Sequence, residues 1–146
     1  MAHITRTINI NAPLSKVFDY VTSPENWARY VTSLVDVKNV SNKTPDTGTT
    51  FEWVYRMLGV NFSGKGSVIG YEKDKMFALK MEGAFPIKET YRFEGDAGGT
   101  NLTFEIDYDV PGQLLGVVAD RLVVEKMNIR EADTVLEKVK ALCESL

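Results

Sequence analysis

Past Pro111-Gly112 no further proline occurs, and apolar residues recur at strides of three and four: Leu115, Val118, Leu122, Ile129, Ala132, Leu136, Val139 and Cys143. The spacing predicts one helix from Gln113 to Leu146, about 34 residues and about 50 Å long. Its first half is apolar off that stripe as well, at Leu114, Val117, Val123 and Val124, whereas its second half carries Glu131, Asp133, Glu137, Lys138 and Lys140. Such a helix needs a broad apolar surface to lie on, and the first half is expected to touch more than one surface.

The rest of the chain supplies a surface of that kind. Ile4, Arg6, Ile8 and Ile10 alternate with Thr5, Thr7 and Asn9, a first strand closed by Asn11-Ala12-Pro13. Two short helices follow: Pro13 to Val21, then one beginning at Ser23-Pro24-Glu25, with Ser23 as expected cap and Trp27, Tyr30 and Val31 as its apolar side. Four strands are expected between about Val31 and Met81, broken at Thr44 to Gly48, Leu58-Gly59 and Glu72 to Lys75. Two more, about Ile87 to Glu94 and about Asn101 to Val110, are joined by Asp96-Ala97-Gly98-Gly99, the strongest hairpin signal present.

Alternation sorts these strands into two faces. Phe51, Trp53, Tyr55 and Met57 oppose Glu52 and Arg56, and Leu102, Phe104, Ile106 and Tyr108 oppose Thr103, Glu105 and Asp107. One face is wet and the other needs a cover, for which the terminal helix is the one element long enough. Gly64 and Gly66 fall on the covered face of their strand, where they permit bending, a close helix approach or a void.

Charge and residue counts narrow the function. A net charge of −3, with no cluster of basic residues, makes nucleic acid an unexpected partner. His3 is the only histidine and Cys143 the only cysteine, so no histidine-rich metal site, Cys-His couple or nucleophilic triad is expected, and no cofactor motif is present. Gly64-Lys65-Gly66 lacks the context of a phosphate loop. Glu125, Lys126, Arg130, Glu131, Glu137 and Lys138 read as a solvated helix face. The start has no apolar signal core and no run spans a bilayer, so the expected location is cytoplasmic.

The order of these features, with Ile-Asn-Ala-Pro at 10–13, Pro-Glu-Asn-Trp at 24–27, Gly-Gly-Thr at 98–100 and the long final helix, resembles the START-like or helix-grip (SRPBCC) superfamily. The likeness is to its polyketide cyclase and lipid-transfer kind, which also includes the birch-pollen allergen. It covers essentially the whole chain, read as one ligand-binding domain over 1–146. It implies an α+β fold in which a seven-stranded antiparallel sheet grips the C-terminal helix around a cavity for an apolar ligand. It does not imply one reaction, since members include carriers, cyclases and partners of other proteins.

Two charged residues break the alternation: Glu89, between Ile87 and Tyr91, and Arg6, between Ile4 and Ile8. An inward Glu89 calls for a cationic or hydrogen-bonding neighbour, with Arg6 or Arg121 as candidates. The residues expected to line the cavity are Trp53, Tyr55, Phe62, Met81, Tyr91, Phe104 and Val118, with Arg6 and Glu89 as polar contacts. Alternate turns of a meander share one end of the sheet, which places Leu58, Phe85 and Leu114 together as an apolar rim and cavity entrance. Three functions follow as alternatives: a binder of a lipid- or polyketide-like molecule; an aromatase- or cyclase-type (cyclase/dehydrase-like) enzyme in which Glu89 is the general acid or base; and an adapter whose rim docks a protein or membrane. Oligomeric state is not legible.

Overall fold

The computed structural model describes residues 2–57, 59–83, 86–109 and 121–146. Strand β1 (Ala2–Ile10) leads to helices α1 (Leu14–Thr22) and α2 (Pro24–Tyr30). Strands β2 (Leu34–Lys38), β3 (Thr50–Met57), β4 (Val60–Glu72), β5 (Met76–Gly83), β6 (Ile87–Asp96) and β7 (Gly99–Tyr108) follow, and then helix α3 (Arg121–Glu144). The strands form one antiparallel sheet in the order β1-β7-β6-β5-β4-β3-β2, a meander whose first strand closes onto its last. The expected architecture is observed.

The apolar parity of each strand is buried beneath the helices. Phe51, Trp53, Tyr55, Met57, Phe62, Phe77, Leu79, Met81, Tyr91, Phe93, Leu102, Phe104, Ile106 and Tyr108 join one core with Val124, Ala132, Val135, Leu136, Val139 and Cys143 of α3. A bulge between Val68 and Gly70 turns Ile69 outward and lets Tyr71 rejoin the inner face opposite Phe77. The stripe of α3 differs from the expected one at its start: Leu122 is 61% exposed, while Val124 and Asn128 take the inward positions. Residues 113–120 of the expected helix lie outside the described residues.

Helices α1 and α2 are tied at their junction by polar side chains. The last carbonyls of a helix have no partner within it. Here Thr22 Oγ1 donates to Phe18 O, Ser23 Oγ to Asp19 O, Asn26 Nδ2 to Tyr20 O, and both Trp27 Nε1 and Tyr30 Oη to Val21 O. Ser23 therefore terminates α1 rather than capping α2, where no side-chain cap forms. The ring of Trp27 then packs edge-on against Phe51, at 5.0 Å between centroids, which seats the pair of helices on the sheet.

Glycines at the covered face serve neither bending alone nor a void. A Cβ at Gly66 would lie 2.5 Å from the Phe51 ring, and one at Gly64 would lie 2.0 Å from Glu82 O and 2.8 Å from the Trp53 ring. Rings of the adjacent strand fill the space, a close approach from within the sheet rather than from the helix.

The β6–β7 hairpin is tighter than its sequence signal suggested: Asp96 pairs with Gly99, leaving Ala97 (φ 32°) and Gly98 (φ 90°) as a two-residue turn. Both positions need positive φ, which alanine adopts at a cost of about 1 kcal/mol. Replacing Ala97 with Gly is expected to raise stability by up to about 1 kcal/mol and Tm by about 3 °C in a thermal melt.

Candidate functional site

The buried carboxyl of Glu89 marks the site. Leu79, Glu89, Ile106 and Ile4 form one inward row across β5, β6, β7 and β1. Glu89 is 4% exposed in this row, surrounded by apolar and aromatic side chains. Its polar partners are hydroxyls: Tyr55 Oη donates to Oε1 at 3.1 Å, and Tyr91 Oη donates to Oε2 at 3.4 Å.

Burial raises the Glu89 pKa to about 7; the Tyr55 hydrogen bond opposes this, the Glu131 carboxylate adds to it, and the Tyr91 hydrogen bond opposes it. Burial, followed by the charge of Glu89, pushes the Tyr55, Tyr91 and Tyr30 hydroxyls well above their ordinary range, so they remain protonated donors.

Arg6 is not the partner of Glu89. It sits beside Phe104 in register, one inward position from the Glu89 row, and its Nε reaches Asp133 on α3 at 3.1 Å, at a half-exposed edge. The Arg6–Asp133 pair links β1 to α3 at an exposed edge, where both groups keep their water.

A small cavity of about 20 Å³ lies beside Glu89, between the sheet, α3 and the segment after α2. Tyr55, Met57, Ile87, Phe104, Ile106 and Val135 supply most of its wall, and Glu89, Glu131, Asn128 and Ser33 its polar points. The volume suffices for one water-sized group. A second void of about 10 Å³ on the other side of Glu89 touches Tyr30, Tyr55, Met81 and Tyr91.

Of the residues singled out from sequence, Glu89, Tyr55, Met81, Tyr91 and Phe104 border one or both spaces. Tyr91 and Phe104 stack at 4.5 Å between centroids. Trp53 and Phe62 are buried but border neither space; Trp53 packs on Gly64 and donates Nε1 to Lys65 O at 3.0 Å. Val118 and the proposed entrance residues Leu58, Phe85 and Leu114 lie outside the described residues, as does the side chain of Arg121.

Glu131 and Asn128 escaped the sequence reading. Glu131 is not simply part of a solvated face: its carboxylate accepts from Thr32 Oγ1 and from the Ser33 backbone N–H, which ties α3 to the start of β2. Asn128 lies four residues from Val124 and from Ala132 on the buried stripe, and a polar residue at that spacing was the signal available.

The one histidine takes part in a hydrogen-bonded series of its own. His3 Nδ1 lies 2.6 Å from Asp107 Oδ1, and Thr5 Oγ1 lies 2.8 Å from His3 Nε2, a carboxylate-imidazole-hydroxyl series. It occupies the wet face of the sheet, with the His3 side chain 52% exposed, so water competes for each of its bonds and it is remote from Glu89.

The matched family model describes polyketide cyclase/dehydrase and lipid transport, and it spans residues 1–144. The chain belongs to this family. Three solved structures illustrate how far the family fold extends. A protein from Thermus thermophilus is similar with a TM-score of 0.78 at 18% identity, covering 96% of this chain and 95% of that one. The ZhuI aromatase/cyclase from a Streptomyces species is similar with a TM-score of 0.75 at 13% identity over 98% and 93%. Major latex-like protein 151 from Panax ginseng follows at 0.70 and 14%, over 97% of each chain. At these identities the likeness is one of fold. No curated protein matches the chain. Among the described residues no helix is long and apolar enough to cross a membrane.

Proposed function

We propose that the chain binds a small hydrophobic or amphipathic molecule, lipid- or polyketide-like, between the concave sheet and α3, which must part to admit it because the spaces beside Glu89 are water-sized, as one domain with Glu89 at the polar end of the site. The observation that carries this reading is a buried carboxyl with no cationic partner among the described residues, set in an apolar wall. A buried carboxylate whose hydrogen-bond partners among the described residues are two tyrosine hydroxyls destabilises a fold that leucine would stabilise at the same position. Proteins retain such groups where a ligand uses them. The remaining lining residues, Tyr55, Met81, Tyr91 and Phe104, supply apolar area and hydroxyl donors. Arg6, Trp53, Phe62 and Val118 complete the proposed ligand-binding set, and Leu58, Phe85 and Leu114 the proposed entrance.

Titration of the purified protein with N-phenyl-1-naphthylamine, an uncharged fluorophore, tests the reading. Saturable enhancement with one site per chain is expected, and native mass spectrometry of protein from its own source is expected to show a co-purifying apolar compound. Absence of saturable enhancement would overturn the proposal.

A second reading, an aromatase- or cyclase-type enzyme, is favoured by one observation: a carboxyl that titrates near pH 7 is both acid and base under neutral conditions. Glu89→Gln separates the two. A carrier keeps most of its affinity for a neutral ligand, whereas proton-transfer catalysis falls by about 100-fold or more.

A further inference from the structure

The end strands of the sheet are β1 and β2, and α3 is fastened on both sides. Toward β1, Asp133 pairs with Arg6, Lys140 Nζ donates to Asn9 O at 2.9 Å, and Glu144 accepts from the Asn11 N–H at 2.7 Å. Toward β2 the tie is Glu131, which stands two residues before Asp133 and so about 200° around the helix. Thr32 Oγ1 lies 3.1 Å from both of its carboxylate oxygens, and the Ser33 N–H donates to Oε1 at 3.0 Å. The turn that carries these donors is anchored independently: the Val31 N–H donates to Trp27 O, and Ser33 O accepts from the Arg56 N–H of β3 at 2.8 Å. When sheet and α3 part on this side, the turn stays with the sheet and the Glu131 bonds are the ones that break.

Glu131 also borders the space beside Glu89 and is itself half-buried, so it stands between that space and solvent. The polar groups facing Glu89 are the Tyr55, Tyr91 and Tyr30 hydroxyls, from β3, β6 and α2, and Glu131 from α3. Its neighbours in the row from β5, β7 and β1 are the apolar Leu79, Ile106 and Ile4. Among the described residues no Lys, Arg or His lines the spaces on either side of it. Burial is the main cause of the rise in the Glu89 pKa to about 7, and the charge of Glu131 adds to it. Coupling of this kind is reciprocal, so a charged Glu89 disfavours Glu131 in its place by the same factor. A protonated Glu89 exerts no such repulsion. Glu89 cannot withdraw from a strand in the middle of the sheet, whereas the half-buried Glu131 relieves the repulsion by turning into water.

We infer that Glu131 is a latch on the way to the space beside Glu89, closed onto Thr32 and Ser33 while Glu89 carries its proton and released into water when Glu89 is charged. The latch gives the parting of sheet and α3 a place and a trigger. It rests on the binding function proposed above for its purpose, but it operates in the protein without a ligand.

The Ser33 amide reports the latch directly. Its solvent exchange is measured by NMR in ligand-free protein at pH 5.5 and pH 8, each rate being divided into the intrinsic rate of an open amide at that pH. Protection is expected to fall about tenfold over this interval, the loss of one hydrogen bond to a charged group. The Arg56 amide, bound to Ser33 O, should keep its protection, which separates a released latch from a loosened sheet. In Glu89→Gln, Ser33 should stay protected at both pH values. In Glu131→Gln the pH dependence should vanish as well, because no charge remains for Glu89 to repel. The Glu89 carboxyl carbon should then titrate at a lower pH than in the parent, the reciprocal effect.

Ser33 protection that does not change with pH in the parent, that falls equally in Glu89→Gln, or that falls together with that of Arg56 overturns the latch and leaves the binding function standing. A latch that releases as expected in a chain showing no saturable fluorophore enhancement overturns the binding function alone.

Discussion

Replacing Glu89 with Gln is expected to make the ligand-free protein more stable at pH 8 by about 3 kcal/mol and to change it little at pH 4.5. The folded-state pKa, raised from 4.5 to about 7, means that the native protein binds more protons than the unfolded chain between those limits. Stability from this group is therefore fully present below pH 4.5, declines as pH rises through the window and is lost above about 7. Glutamine does not ionise, so the decline should vanish in the variant. Urea unfolding at half-unit steps from pH 4.5 to 8.5 measures the difference. A gain that stays constant across the series would remove Glu89 as the titrating group. Glu144 acts in the opposite sense and at lower pH, since its side-chain bond to Lys140 and the Asn11 N–H hold its carboxyl below the usual range, so the comparison must be made variant against parent.

The second large effect concerns backbone space. In Gly64→Ala the new Cβ would lie 2.0 Å from Glu82 O, a main-chain atom fixed by the β4–β5 ladder, in which Gly64 faces Gly83. A ring can rotate away from a clash, but a ladder carbonyl moves only if strands part. A loss of about 3 kcal/mol, near 10 °C in Tm, is expected and should persist when Trp53 is also cut to Leu. Gly66→Ala provides the contrast, because the three nearest atoms there belong to the Phe51 ring. Its destabilisation should shrink in a Phe51→Leu background, a coupling that a double-mutant cycle reads directly. Equal rescue at both positions would show that the β5 backbone yields after all.

The same distinction between local pattern and relative position explains what was legible in the sequence. Alternation identifies the inner face because it depends on residue parity alone, so Trp53, Tyr55, Tyr91 and Phe104 could be assigned without knowing their neighbours. The inward turn of Glu89 was visible for the same reason. Its partners were not, because the Tyr55 hydroxyl arrives from 34 positions earlier, three strands across the sheet, while Arg6 is drawn off by Asp133. Long flexible cations reach several acceptors, and the sequence does not rank them. Glu131 was misplaced by its setting among charges on α3, since a helix face is solvated only where no loop docks on it, and the segment with Thr32 and Ser33 docks there. Leu122 erred in the opposite direction: stride alone put it inward, yet it is exposed, and among the described residues the first buried position of α3 is Val124.

The junction of α1 with α2 bears on how a guest could enter. Drawing these helices apart would strip the Tyr20 carbonyl of its Asn26 donor and the Val21 carbonyl of both the Trp27 and the Tyr30 donors at once. That corner is a weld, and any breathing that admits a molecule must take place elsewhere along the perimeter of the sheet. Amide exchange in α1 and α2 should accordingly stay slow with and without a bound molecule.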